Sequence, residues 1–231
     1  NNTNFINACG LDAEGHYSSA YDIALMSEYL IENYPEIKEY TLTWMDTIIH
    51  KTSKGEKEFR LTNTNKLIKS YDGITGLKTG STSDAGYSVS ATAERENCSY
   101  VAVVLGADTT KNRFTLAADL LNYGFVNFKS YIPDEKKLTV TASFENSKER
   151  EYKLIAKVDS GLILDKSFDI KSLKLTYEIT NSKAPISTSE SCGFLIILNG
   201  DKELIRYPLY PSKDIEKVKY TDYLMRLLKE F

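Results

Sequence analysis

The stretch DGITGLKTGSTSDAGYSVSATAER, residues 72–95, carries the most information in this chain. At its centre Lys78-Thr79-Gly80 runs into a hydroxyl-rich turn, Ser81-Thr82. An ammonium, a hydroxyl and a backbone stretch without a side chain then succeed one another along one strand. That set suits a carboxylate-bearing substrate held beside an acylatable serine. Residues 85–94 and 98–106 both have strand character, and the short link Arg95-Glu96-Asn97 predicts an antiparallel hairpin. The second of these, CSYVAVVLG, is almost continuously apolar and is expected to be a buried central strand. The triplet is therefore expected on an accessible strand beside a cleft. Gly76, Gly80 and Gly86 would remove side chains that block close backbone approach.

Working outward, residues 21–34 read as a helix with Ile23, Met26 and Leu30 on one face, Ser18 and Ser19 as caps and Pro35 as the stop. Residues 36–70 are mixed and polar and are expected to be loop with short elements. Residues 112–129 form the clearest helix, with Phe114, Ala117, Ala118, Leu121, Phe125 and Phe128 in one apolar stripe. This helix is expected to pack across the sheet built by the preceding strands.

The pattern changes near Pro133. From 136 to 209 come short alternating stretches, LTVTASF, EYKLIAKV, SLKLTYEI, CGFLIILN and ELIRYPL. Turn-prone groups such as Asn146-Ser147, Asp159-Ser160-Gly161 and Asn199-Gly200-Asp201 separate them. Such spacing predicts a small all-β domain of sandwich-like kind. Residues 217–231 align Tyr220, Leu224, Leu227, Leu228 and Phe231 along one side, which predicts an amphipathic helix too short to span a bilayer. The fold class is α+β. A mixed domain is expected over 1–132, the all-β domain over 133–216 and the terminal helix over 217–231.

A net charge of −3 without any basic run argues against nucleic acid as a partner. Cys9, Cys98 and Cys192 form no C-x-x-C pair and no disulfide framework, and are read as small buried residues. His16 and His50, the two histidines, belong to no metal-ligand pattern and no recognisable triad, and are read as surface residues. A phosphate loop needs Gly directly before Lys78, where Leu77 stands, and a helix after the motif, where a strand is expected.

Three segments together, GLDAEGHYSSAYDIA (10–24), DGITGLKTGSTSDAGYSVSATAER (72–95) and VAVVLGADTTKNRF (101–114), resemble the low-molecular-mass penicillin-binding proteins. These are the serine-type D-alanyl-D-alanine carboxypeptidases, and the resemblance covers essentially the whole chain. Class A β-lactamases share the triplet, but they lack the extra β domain and carry an E-x-x-L-N segment that is missing here. The resemblance implies a partial penicillin-binding, β-lactamase-like domain over 1–132. It also implies an extracytoplasmic, membrane-associated enzyme without metal or organic cofactor, acting on peptidoglycan stem peptides and acylated by β-lactams. Lys78 would lend positive charge to the site, Thr79 would hydrogen-bond the substrate carboxylate, and Gly80 would let the acyl chain lie along the strand. The backbone N–H of Ser81 would give one half of an oxyanion hole, and Arg113 would help bind the terminal carboxylate.

The family's S-x-x-K and S-x-N motifs are absent from these 231 residues. The chain is accordingly expected to be a C-terminal portion, inactive by itself, whose first domain pairs with a missing N-terminal half, self-associates or is marginally stable. The terminal helix is a candidate for membrane-surface contact. The alternative reading is a non-catalytic wall-binding or docking module on the same scaffold.

Overall fold

The computed structural model describes residues 2–53 and 55–222. They fall into two compact units, Asn1–Phe128 and Lys129–Phe231.

The first unit begins with α1 (Ala20–Asn33), capped by Ser19, whose hydroxyl accepts from the Asp22 amide at 3.1 Å. A short α2 (Ile37–Thr41) follows. Residues 36–70 are not mainly loop. They contain an antiparallel hairpin of β1 (Met45–Thr52) and β2 (Gly55–Thr62), then α3 (Leu67–Ser70). Every residue of both hairpin strands is exposed. With no buried face there is no apolar alternation to betray the strands, which explains why the sequence conceals them.

Next come β3 (Ile74–Thr82), β4 (Gly86–Arg95) and β5 (Cys98–Ala107), an antiparallel sheet in that order. Glu96 and Asn97 both adopt positive φ, at 49° and 62°, as a two-residue turn between right-twisted strands requires. Helix α4 (Thr110–Asn127) then lies across the sheet. Strand pleating sends Val89, Ala91 and Ala93 toward it, where they meet Ala102 and Val104 of β5 and Phe114, Ala117 and Leu121 of α4. The alternate residue Ser90 points to the other face, where Ser27 of α1 receives it at 2.7 Å.

Residues 98–106 are therefore not the central strand. Among the described residues β4 is central and β5 is an edge. The run is apolar because α4 covers one face of β5 and α1 packs on the strand as well, so burial from helices mimics the pattern of a central strand. Gly124 in α4 has a separate cause: a Cβ there would come within 3.1 Å of the Tyr100 ring.

Strand β6 (Phe128–Tyr131) starts at the last residue of the first unit and leads into the second, which continues through β7 (Thr139–Ala142), β8 (Tyr152–Ala156), β9 (Leu162–Asp165), β10 (Leu173–Ile179), β11 (Gly193–Asn199) and β12 (Lys202–Pro211). Five of them form an antiparallel sheet in the order β10-β11-β12-β8-β7, while β6 pairs with β9. That pairing draws Lys129–Tyr131 into the second unit, so the division falls at Phe128, within a few positions of the boundary expected near 132. Both sheets feed one core, with Leu154, Cys192, Ile197, Leu209 and Ile215 sealed from solvent and Tyr131 and Leu162 packed against them. Turns fall where Asn146 and Gly200 adopt positive φ.

Lys217 bridges to Ser147, and helical residues start only at Tyr220. Leu224, Leu227, Leu228 and Phe231, on which the amphipathic reading rests, lie outside the described residues. No helix among the described residues is long and apolar enough to cross a membrane. Cys98 and Cys192 are buried, whereas Cys9 is exposed, contrary to the expectation for all three. His50 is exposed and His16 half-buried, its Nδ1 accepting from the Ile6 amide at 3.0 Å.

Candidate active site

The triplet lies on β3, an edge of its sheet among the described residues, with Lys78 opposite Ser90, Thr79 opposite Val89 and Gly80 opposite Ser88. Alternation along the strand puts Lys78 and Thr79 on opposite faces. Lys78 is exposed, and its Nζ donates to the carbonyl of Thr79. Thr79 is only 8% exposed, and its hydroxyl lies 2.5 Å from that of Thr64 in the segment leading into α3. Ser81, opposite Tyr87, is exposed.

The three glycines divide. No atom lies within 4 Å of where a Cβ on Gly80 would stand, so the strand is open there. A Cβ on Gly76 would meet the Thr41 hydroxyl at 2.8 Å, and one on Gly86 would meet the Ala107 carbonyl at 2.8 Å. Gly76 and Gly86 serve internal packing; Gly80 alone of the three leaves room at the surface.

Arg113 is brought to the triplet from behind. It sits in the first turn of α4, 5% exposed, and its Nη1 donates to the carbonyls of Gly80 at 3.0 Å and Ser88 at 3.3 Å. Its guanidinium also lies over the rings of Phe114 and Tyr87, with centroids at 4.7 Å and 5.5 Å. Burial lowers its pKa, partly opposed by Tyr87, yet an arginine starting so high keeps its charge. Its Nε has no partner among the described residues.

Two residues assigned no role from the sequence also belong to this region. Asp12 accepts from the Thr82 hydroxyl at 2.6 Å, and Thr82 in turn accepts from the Ala85 amide at 3.0 Å. That ties the GLDAEG segment to the end of the strand. Thr64 is the other. Its Asn63-Thr64-Asn65 setting gives a hint, because asparagines favour local backbone bonds, but no sequence spacing links it to Thr79. Beyond the triplet an open depression of about 690 Å³ is lined by Ser81, Thr82, Asp84, Tyr87, Gly106 and Asp108.

Lys-Thr-Gly thus stands on an edge strand of an antiparallel sheet backed by a helix, and comparison with known proteins gives the class to which such a chain belongs. Residues 1–109 match the D-alanyl-D-alanine carboxypeptidase family. The chain is 32% identical over its full length to D-alanyl-D-alanine carboxypeptidase DacF of Bacillus subtilis, spanning 59% of that protein. It is 33% identical to DacC of Escherichia coli over 94% of this chain and 53% of that one. Among solved structures, penicillin-binding protein 5 of Haemophilus influenzae superposes with a TM-score of 0.70 at 27% identity, over 93% of this chain and 61% of that one. The chain belongs to the D-alanyl-D-alanine carboxypeptidase family. It spans a little over half the length of these relatives.

Proposed function

We propose that this chain supplies the substrate-carboxylate side of a serine D-alanyl-D-alanine carboxypeptidase. The observation that carries the reading is the edge strand of Lys78, Thr79 and Gly80 with open space at Gly80, in a chain of this family. In the reaction a serine oxygen attacks the carbonyl between the two D-alanines of a stem peptide, and the terminal D-alanine leaves with a proton. Water then cleaves the resulting ester and restores the serine. Here Lys78 supplies positive charge, Thr79 donates to the terminal carboxylate and Gly80 admits the peptide against the strand. The Ser81 N–H contributes half of the oxyanion hole, since a preorganised donor is worth most where negative charge develops. Arg113 acts from behind, by holding the carbonyls of Gly80 and Ser88.

The serine and its lysine do not occur as S-x-x-K in these residues, so the acylating side comes from polypeptide beyond them. The first unit supports this with apolar surface on α1, where Tyr21 is 71% exposed and Tyr29 62%. A nucleophile-bearing segment, or failing that a second copy, is its partner. The second unit, with its own core, folds unaided. Stem peptides and β-lactams place the activity in the cell envelope, outside the membrane.

Two measurements on the chain test this. Intact mass after incubation with a β-lactam is expected to stay at 26.1 kDa, and a covalent adduct would overturn the assignment of the nucleophile elsewhere. Titration with N-acetyl-D-Ala-D-Ala, followed by amide NMR, is expected to shift residues 78–81 more than its C-terminal amide does. Equal shifts would favour a non-catalytic docking module.

A further inference from the structure

We infer that Thr64 is a positioning residue for the substrate carboxylate, acting through the hydroxyl of Thr79; this rests on the function proposed above. Among the described residues the Thr79 hydroxyl has one hydrogen-bond partner, Thr64, at 2.5 Å. A hydroxyl carries one proton and can accept two. If Thr79 gave its proton to Thr64 it would have none for a carboxylate. With the direction reversed, Thr64 donates to Thr79, and the Thr79 proton is free to point at the ligand. Either hydroxyl can donate across this pair in the free chain. Once a carboxylate takes the Thr79 proton, Thr64, exposed and free to exchange its other hydrogen bonds with water, can turn its own proton to the nearly buried Thr79 oxygen.

The segment around Thr64 is built to hold a hydroxyl still. The Asn63 amide donates to the carbonyls of Thr41 and Thr43, each at 3.1 Å, and the Asn63 backbone N–H donates to the Trp44 carbonyl at 2.8 Å. On the far side of Thr64, the Asn65 backbone N–H donates to Asn63 Oδ1 at 2.9 Å. Asn65 Oδ1 in turn accepts from the Leu67 amide at 3.2 Å. Leu67 is 4% exposed and anchored in the core of the first unit. Both flanks of Thr64 are thus fixed before any ligand arrives, so no ordering has to accompany binding. The carboxylate subsite is consequently two hydroxyls deep, one from β3 and one from the segment before α3.

The test is amide and methyl NMR titration of the 231-residue chain with N-acetyl-D-Ala-D-Ala and with its C-terminal carboxamide. Thr64→Val keeps the shape and removes the donor, and Thr64→Ser restores it. Thr64→Val is expected to weaken the carboxylate ligand roughly five- to tenfold and leave the carboxamide unchanged, while Thr64→Ser binds as the parent does. If Thr64→Val retains the carboxylate preference and Thr79→Val loses it, the inference falls and the proposed function stands. An equal loss for both ligands, unrepaired by serine, would make Thr64 merely structural and also overturn it. If the unaltered chain shows no preference for the carboxylate, the proposed function fails and takes this inference with it.

Discussion

Arg113 Nη1 lies 3.0 Å from the carbonyl oxygen of Gly80, reaching the Lys-Thr-Gly strand from the helix side of its sheet. A buried cation bonded to two main-chain carbonyls fixes the strand more than it presents itself to a ligand. Arg113→Met should therefore lower stability by about 2–3 kcal/mol, the usual worth of hydrogen bonds to a charged group. Carboxylate and carboxamide ligands should weaken by the same factor. A loss confined to the carboxylate ligand would instead make Arg113 a direct contact.

The buried serines of α1 and β4 allow a test of direction. Ser27 Oγ donates to the Ile23 carbonyl at 2.7 Å, which leaves Ser90 to donate across the 2.7 Å pair. Ser27→Ala strands the Ser90 hydroxyl without an acceptor and should cost about 1–3 kcal/mol. Ser90→Ala leaves Ser27 satisfied and should cost less. Urea denaturation of the two single variants and the double variant separates the terms, and equal single costs would contradict the assigned direction.

Gly80 and Gly86 should respond differently to the same substitution. Gly86 has φ +64° and the Ala107 carbonyl 2.8 Å from a Cβ, so Gly86→Ala should destabilise by more than about 1 kcal/mol. Gly80→Ala meets open space, and its stability should stay within about 0.5 kcal/mol of the parent. Its peptide binding should nevertheless fall, because the methyl occupies the room left for the ligand. Thermal melts and peptide titrations check both halves.

Acid should weaken the second unit through identified carboxylates. The side-chain hydrogen bond from Lys148, at 2.8 Å, lowers the Glu216 pKa below its ordinary 4.5, helped by the lysine's charge. A carboxyl depressed by folding adds stability above its ordinary pKa, and that stability disappears as pH falls through the lowered value. Glu203 behaves alike, held by the Arg206 side chain. Melting temperatures followed from neutral to about pH 3 should fall on the acid side, and Glu216→Gln should make that fall shallower. An unchanged slope would show that this pair contributes nothing to the acid limb.

Local chemistry was legible wherever a residue's role is settled by its neighbours in sequence. Ser19 caps α1, Glu96 and Asn97 turn the hairpin, and the stripe of α4 buries Phe114, Ala117 and Leu121. The alternating stretches after residue 136 became β7, β8 and β10–β12 because one side of each faces the same core. By contrast the β1–β2 hairpin, exposed throughout, left no pattern to read. The short strands β6 and β9, four residues each, are too brief to display an alternation of their own.

The amino-acid sequence by itself determined the family, the α+β class and the triplet Lys78-Thr79-Gly80, because these rest on residue types in fixed order. Only tertiary structure decided that β5 is an edge, that Arg113 stands behind the strand, and that Thr64 meets Thr79 across fifteen positions of chain. The physical reason is range. Caps, turns and periodicity act over a few residues, whereas a hydrogen bond between distant segments exists only after the core has fixed where each backbone lies.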